Sequence, residues 1–185
     1  MLIVMKLKTG FKSLMLFMSI ALFFVLSAKT VQADPAPLGL EVGKATLKDA
    51  KKAYRTEYSG MNQYSLGTML KVSGDQTGIS GVTEATLIFN LQERLVAVLL
   101  ELPKSRFDAL YEALSNKYRV TSREIPFVGN KKVVMRDGHT EITLNAPHMS
   151  FEMSLNYIED GLNQSYKDQK NKEERAKKQQ EASNL

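Results

Sequence analysis

The chain has 185 residues, no cysteine, no tryptophan and a formal net charge of +5. Without cysteine it has no disulfides, no thiol nucleophile and no thiolate metal site. Four lysines and no acid lie in the first 33 residues, so the remainder carries a net charge of only about +1. The composition therefore gives no support to nucleic-acid binding through a basic surface.

Residues 1–33 have the pattern of a cleavable signal peptide. A basic start precedes an almost wholly apolar run over residues 13–27, and Val-Gln-Ala at residues 31–33 fits the small-residue pattern before a cleavage site. The run is short for a bilayer span, which needs roughly 20 residues. We expect a periplasmic or secreted protein that begins at Asp34, with an uncleaved N-terminal anchor as the alternative.

The first half of the mature chain predicts a helix followed by weak strands. Thr46, with Asp49 three residues later, is typical of a helix N-cap. The stripe expected to be buried on this helix consists of Leu47, Ala50, Tyr54 and Tyr58. Two strands broken near Gly67 follow, and residues 74–81 then form a Gly-rich loop.

The centre of the chain predicts two strands and a second helix. Both alternating sets of residues 95–102 are largely apolar, which indicates a central strand covered on both faces. Pro103 ends this strand, and Ser105 with Asp108 predicts the N-cap of the second helix.

Strand patterns follow the second helix over residues 118–125, 132–144 and 149–157. Asp137-Gly138 predicts a two-residue turn that pairs Arg136 with His139 and Val133 with Ile142. A later strand alternates strictly between apolar and polar residues, which predicts one buried face formed by Met149, Phe151, Met153, Leu155 and Tyr157. Ile158, Leu162 and Tyr166, four residues apart, are expected to dock the first turns of a final helix.

The two halves, about residues 40–103 and 104–158, resemble each other. An offset of 60 residues aligns the two helices and places Tyr58 on Tyr118, and an offset of 57 aligns residues 83–87 with 140–144. This pattern predicts an internal duplication, with chance likeness between amphipathic helices as the alternative. The expected fold is α+β, with two helix-plus-meander halves joined in one curved sheet and both helices on one face. The predicted division is a single domain over residues 34–166 and a charged, solvated helix or tail over 167–185.

The opening Val42-Gly43-Lys44-Ala45-Thr46-Leu47-Lys48-Asp49-Ala50 resembles that of β-lactamase-inhibitor-like domains and of small outer-membrane assembly lipoproteins. PepSY-like helix-plus-strand repeats are similar in outline. The lipid-bearing cysteine of the assembly lipoproteins is absent. The resemblance implies a family that mostly binds proteins and rarely catalyses.

Catalytic and metal-binding patterns are weak. His139 and His148 have no carboxylate at ligand spacing, and the Gly-rich loop lacks the lysine of a phosphate-binding loop. Tyrosine and methionine are enriched at protein interfaces. The candidate partner-binding residues are therefore Tyr58, Met61, Tyr64 and His148, with a role in the core as the alternative.

These patterns favour a non-enzymatic protein that binds another envelope protein through a sheet face or end loops. The alternative is a carrier of an apolar ligand, in a cavity lined by Phe107, Leu110, Phe151 and Met153. An unrecognised hydrolase is the third hypothesis. No cofactor, nucleic-acid partner or integral membrane span after processing is expected, and the oligomeric state is left open.

Overall fold

The structure, a computed structural model, describes residues 33–184, so the predicted signal peptide lies outside the described residues except for Ala33. Eight strands form one curved antiparallel sheet in the order β1-β2-β3-β4-β8-β7-β6-β5. The strands are β1 Thr56–Met61, β2 Leu66–Ser73, β3 Glu84–Asn90, β4 Leu95–Pro103, β5 Arg119–Glu124, β6 Lys131–Asp137, β7 Thr140–Ala146 and β8 Glu152–Glu159. The helices are α1 Leu47–Ala53, α2 Phe107–Lys117 and α3 Asp160–Ser183. The predicted α+β fold with one antiparallel sheet is confirmed.

Each half of the chain folds as a helix followed by a four-stranded antiparallel meander. The two meanders join into one sheet where β4 pairs with β8. Leu99 pairs with Asn156, and the neighbouring pairs are Val98 with Tyr157 and Leu100 with Leu155. Adding 57 to the residue number maps Leu99 onto its own partner, Asn156. The same offset maps Val98 onto Leu155 and Leu100 onto Tyr157, so each flanking pair is mapped onto the other. The sequence match between residues 83–87 and 140–144 has the same offset, which is what a duplication with pseudo-two-fold symmetry predicts. Duplication itself stays a prediction.

The starts of the two helices agree with the predicted offset of 60, since α1 begins at Leu47 and α2 at Phe107, but their ends do not. The backbone N–H of Tyr54 closes α1 by donating to the carbonyl of Ala50, and Tyr118 closes α2 in the same way on Leu114. These closing positions are 64 residues apart because α2 has 11 residues and α1 only 7, so α1 ends about one turn sooner. Tyr58 therefore does not extend the buried stripe of α1, because it lies on β1 and is 68 % exposed.

The main core lies on the face of the sheet that α1 and α2 cover. Ala50 of α1 and Phe107 and Leu114 of α2 are buried there against the inward residues of the strands. The segment before α1 joins the same core through Leu40 and Val42. This leader is fixed at its start, since the Asp34 carboxylate accepts hydrogen bonds from the β6–β7 turn.

The opposite face is covered at one end by the first turns of α3. Leu162 is buried in a small cluster with Ile88, Val96 and Ala97, while Ile158 packs at its margin. The Arg136 Nη2 donates to both carboxylate oxygens of Asp160, at 2.7 and 2.6 Å, and fixes the start of the helix. From residue 167 onward α3 is exposed at nearly every position, as predicted for a solvated helix. No helix in residues 33–184 combines the length and apolar character needed to cross a bilayer.

The structure confirms one predicted helix cap and contradicts the other. The Thr46 Oγ1 accepts a hydrogen bond from the Asp49 N–H, and the Thr46 N–H donates to the Asp49 carboxylate. Hydrogen bonds from Thr46 also hold the pKa of Asp49 below its ordinary value. Ser105 caps nothing, because residues 104–106 form a 3-10 turn and α2 begins at Phe107 without a side-chain cap.

We expect Thr46→Ala to lower the free energy of unfolding by about 1 kcal/mol, the usual cost of losing an N-cap. Ser105→Ala is the matched control and should leave the free energy of unfolding within about 0.5 kcal/mol of the wild type, because Ser105 is exposed. Urea denaturation of both variants measures the difference. Equal losses in the two variants would contradict the assignment of the caps.

Three further predictions about the strands are corrected. The β6–β7 turn consists of Gly138 and His139, so Asp137 pairs with Thr140 and Val133 pairs with Leu144. The break between β1 and β2 lies at residues 62–65, and Gly67 is inside β2. β4 is central but only partly covered on the opposite face, where Glu101 is exposed.

The predicted buried face of the last strand is shorter than expected. Met153, Leu155 and Tyr157 are buried on β8. Met149 and Phe151 precede the strand and are 91 % and 94 % exposed. The prediction that these two residues are buried was wrong.

Candidate functional site

The predicted partner-binding residues divide between two ends of the sheet. Tyr58 and Met61 lie on the edge strand β1, and Tyr64 lies in the β1–β2 turn. His148 lies in the β7–β8 loop. The β1–β2 turn lies beside the β3–β4 turn, where β4 begins, whereas the β7–β8 loop lies beside Pro103, where β4 ends. The structure therefore groups the first three residues and separates His148 from them.

Four exposed apolar side chains surround the β1–β2 and β3–β4 turns. We call this set the corner patch. Its members are Tyr58 (68 % exposed), Met61 (63 %), Leu66 (55 %) and Leu91 (64 %). Leu66 pairs with Asn90 across β2 and β3, and Leu91 follows Asn90 directly, so the two turns are neighbours.

The β1–β2 turn is held by its own hydrogen bonds. The Asn62 Oδ1 accepts from the N–H groups of Tyr64 and Ser65, each at 2.9 Å. The Ser65 hydroxyl donates to the Phe89 carbonyl at 2.7 Å and ties the turn to β3. Such a turn presents its side chains in one conformation.

Leu66 has an unusual backbone conformation for an exposed leucine. Its φ is +57°, in the left-handed region that favours glycine. A side chain with a Cβ costs roughly 1–2 kcal/mol there. Strain of this kind is retained where the surrounding structure fixes it, and it is found most often at binding and active sites.

The β3–β4 turn is also fixed. The Asn90 Oδ1 accepts from the N–H groups of Gln92 at 3.0 Å and Arg94 at 2.9 Å. The Arg94 Nη1 donates to the Lys44 carbonyl at 2.7 Å, so the turn is tied to the segment before α1. Leu91 is therefore exposed on a rigid support.

Tyr64 packs on the face of the sheet that α3 covers. It is half-buried, and its ring meets the Tyr166 ring edge to face with the centroids 5.1 Å apart. It packs beside the cluster that contains Leu162, and so joins α3 to the β1–β2 turn. Tyr64 thus belongs to the packing between the β1–β2 turn and α3, and it is not a member of the corner patch.

The residues proposed for a carrier cavity do not line a common space. Phe107 and Met153 are buried in the main core, at 2 % and 3 % exposure, whereas Phe151 is exposed to solvent. Leu110 packs at the margin of the core. These four residues therefore form no cavity together.

A polar cavity of about 560 Å³ lies beside β1 and β2, and two of the charged residues that line it pair with each other. Lys71 and Glu84 form an ion pair at 2.8 Å, and the hydrogen bond between them raises the pKa of Lys71. The Gln76 amide binds the backbone N–H and carbonyl of Arg55. Neither histidine lies in this cavity, and within residues 33–184 no group of three or more His, Cys, Asp or Glu is placed to hold a metal ion.

Comparisons of the chain with protein-family models, curated proteins and solved structures found no match. The resemblance to β-lactamase-inhibitor-like domains, assembly lipoproteins and PepSY-like repeats therefore stays a prediction that rests on the sequence. The corner patch is defined by geometry alone.

Leu66 and Leu91 were missed because an apolar residue next to a strand ordinarily indicates core. For Leu91 a signal was present, since it stands in Asn90-Leu-Gln-Glu93 between two predicted strands. An apolar residue inside a polar turn has no obvious place in a core. Leu66 carries no comparable signal, because its conformation depends on the fold around it.

Proposed function

We propose that this chain is an exported, non-enzymatic binding protein that engages another envelope protein through the corner patch. The observation that carries the proposal is the display of four large apolar side chains, 55–68 % exposed, on the edge strand β1 and at the two hydrogen-bonded turns beside it. Isolated exposed apolar residues are ordinary on protein surfaces, but a group gathered at one corner is typical of a binding site.

The rigidity of the corner patch supports protein recognition. Binding costs less when the contact residues are already ordered, because less conformational entropy is lost. The hydrogen bonds of Asn62 and Asn90 order both turns before any partner arrives. The positive φ of Leu66 indicates that its outward position is maintained at an energetic cost.

Export and periplasmic location rest on the signal-peptide pattern of residues 1–33. Asp34, the first residue after the predicted cleavage site, accepts hydrogen bonds from the His139 N–H at 2.7 Å and the Thr140 hydroxyl at 3.2 Å. The proposed mature chain would therefore use its first residue in the fold. Intact mass of the envelope form identifies the N-terminus, and a mass that includes residues 1–33 would establish an anchored protein instead.

The partner is best identified by photo-crosslinking in intact cells. A photoreactive residue at Met61 should give discrete crosslinked products with one envelope protein. The same residue at Val120, which is 37 % exposed on the opposite edge strand β5, is the control and should give none.

A Leu66→Gly variant then separates binding from folding. Glycine accepts the positive φ of this position without strain, so thermal stability should be retained or raised. Loss of the side chain should weaken affinity for the purified partner about tenfold or more, as expected for a central interface residue. Val120→Ser should leave affinity unchanged. Unchanged affinity in Leu66→Gly would exclude the corner patch as the binding surface.

A further inference from the structure

A second group of apolar side chains lies at the other end of the sheet, on the β5–β6 and β7–β8 loops. We call it the end-loop cluster. Its members are Phe127 (104 % exposed), Val128 (67 %), Met149 (91 %) and Phe151 (94 %). Three of these four side chains are about as accessible as in an extended peptide, so they stand free of the protein body.

The two loops are held side by side. The His148 N–H donates to the Asn130 Oδ1 at 2.8 Å and joins one loop to the other. The Lys104 Nζ donates to the carbonyls of Pro147 and His148, at 2.6 and 2.9 Å. The end-loop cluster is therefore presented by a fixed structure at one end of the sheet.

The tips of both loops contain no Lys, Arg, Asp or Glu. These tips are Ile-Pro-Phe-Val-Gly-Asn at residues 125–130 and Ala-Pro-His-Met-Ser-Phe at residues 146–151. The charged residues that flank the tips in the sequence or contact them are of both signs, and we call them the rim: Lys104, Glu124, Lys131, Lys132 and Glu152, with Asp108 paired to Lys131. The tips themselves thus present only uncharged side chains and one histidine.

Much of the backbone in the second loop already has hydrogen-bond partners. Besides the contacts of His148 and Lys104 Nζ, the Phe151 carbonyl accepts from the Lys104 N–H at 2.7 Å. Pro126 and Pro147 have no N–H to satisfy. Backbone N–H and carbonyl groups without a hydrogen-bond partner are what make it costly to move an irregular segment into an apolar medium. The β7–β8 loop has few such groups, so its transfer out of water costs little free energy.

We infer that the end-loop cluster inserts into the surface of a phospholipid bilayer. A protein partner holds an apolar side chain by surrounding it, and its own contact surface is usually well packed. Here Phe127 and Phe151 project separately, with no wall of protein beside them. The fluid boundary between headgroups and acyl chains accepts such side chains without a matching shape, as it does the apolar face of interfacial segments.

Binding of the end-loop cluster to a bilayer would leave the corner patch free to bind a protein. The corner patch lies near the start of β4 and the end-loop cluster near its end. A molecule docked on lipid by these loops would present its corner patch away from the bilayer. The two surfaces are independent, so either can be tested without the other.

The charge around the tips sets the lipid dependence. Because the rim carries both signs, the apolar side chains supply most of the attraction. We expect weak, reversible binding to vesicles of phosphatidylcholine, with a modest increase for an equimolar mixture with phosphatidylglycerol. Raising the salt concentration should have little effect, in contrast to a protein held by a basic patch.

The chain has no tryptophan, so one introduced tryptophan reports on a single position. In the exported protein, Phe151→Trp and Phe127→Trp should each shift their emission to shorter wavelength when vesicles are added. Each should also be quenched by bromine-labelled acyl chains. Leu91→Trp, at the opposite end of the sheet, is the matched control and should show neither change. Absence of a shift at both loop positions, or an equal shift at Leu91→Trp, would overturn the inference.

A loss-of-binding pair completes the test. Phe127→Ser combined with Phe151→Ser should reduce vesicle partitioning by about a hundredfold, since two buried phenylalanines are removed from the lipid. Tyr58→Ser combined with Met61→Ser, in the corner patch, should leave partitioning unchanged. All four side chains are exposed, so folding should be retained in both pairs. Equal partitioning of the two pairs would refute bilayer insertion, and the end-loop cluster would then serve another partner.

Discussion

Phe107→Ala is expected to lower the free energy of unfolding by about 3–5 kcal/mol, the usual cost of truncating a buried phenylalanine. Phe107 is 2 % exposed at the start of α2 and packs on the helix-covered face of the sheet. Its ring stacks with Tyr111 at a centroid distance of 6.4 Å, and the Lys131 Nζ lies 5.0 Å from its centroid. The truncation would leave a cavity in packing that cannot readily collapse.

Phe151→Ala is the matched control for this prediction. The same chemical change at a side chain 94 % exposed should alter the free energy of unfolding by no more than about 0.5 kcal/mol. Urea denaturation measures both variants. A loss below about 1 kcal/mol in Phe107→Ala would contradict a closed core and favour the apolar-ligand carrier. Native mass spectrometry of the wild type would then look for a retained ligand.

Local chemistry made part of the fold predictable. The cap at Thr46 depends on two residues three positions apart, and the strands depend on periodicity within short segments. The offset of 57 residues also came from a short match between two strands, and it agrees with the β4–β8 register. The helix offset of 60 agrees with the starts of α1 and α2, but its match of Tyr58 with Tyr118 fails because α1 ends one turn sooner and Tyr58 lies on β1.

The β6–β7 register could not be decided from the apolar pattern. The predicted and observed registers differ by two positions on β7, so Val133 meets Ile142 in one and Leu144 in the other. Both partners are on the buried face, and both registers bury the same residues. The observed turn places Gly138 at φ +52° beside Asp34, a residue more than a hundred positions away in the sequence. No local pattern contains that contact.

The exposure of Met149 and Phe151 has a similar cause. Their alternation with polar residues continues that of β8, so the sequence predicted one long strand. The neighbouring strand β4 ends at Pro103, which pairs with Glu152. Beyond that pair the chain of β4 turns into a 3-10 segment, and residues before Glu152 have no strand on that side. The length of β8 is thus set by its partner.

The candidate site was predictable only in part. Tyr58 and Met61 were identified from composition, and the structure places both on an exposed edge strand. Leu66 required the conformation of the β1–β2 turn, and that turn depends on contacts with β3. Sequence patterns located the neighbourhood, while the tertiary fold determined which side chains face outward.

Gly67, next to the β1–β2 turn, allows β2 to approach the backbone of β3 closely. A Cβ at this position would overlap the Phe89 carbonyl oxygen and would lie 2.6 Å from both the carbonyl carbon and oxygen of Asn90. All three atoms belong to the backbone of β3 and its turn, so no side chain can move aside. We expect Gly67→Ala to destabilise the protein by roughly 3 kcal/mol, because the strands must separate to admit one methyl group.

Gly161→Ala provides the contrast for Gly67→Ala. The nearest atom to its added Cβ is the flexible carboxylate end of Glu159, at 3.1 Å, and the position is exposed in the first turn of α3. Alanine favours a helix, so this variant should be neutral or gain up to about 1 kcal/mol. Urea denaturation with unchanged m-values compares the two variants.

Below the unfolding transition, Gly67→Ala should also bind the crosslinked partner more weakly than the wild type does, because its Leu66 is displaced. Wild-type stability in Gly67→Ala would mean that β2 and β3 do not approach so closely, and that the left-handed turn at Leu66 is not fixed by them.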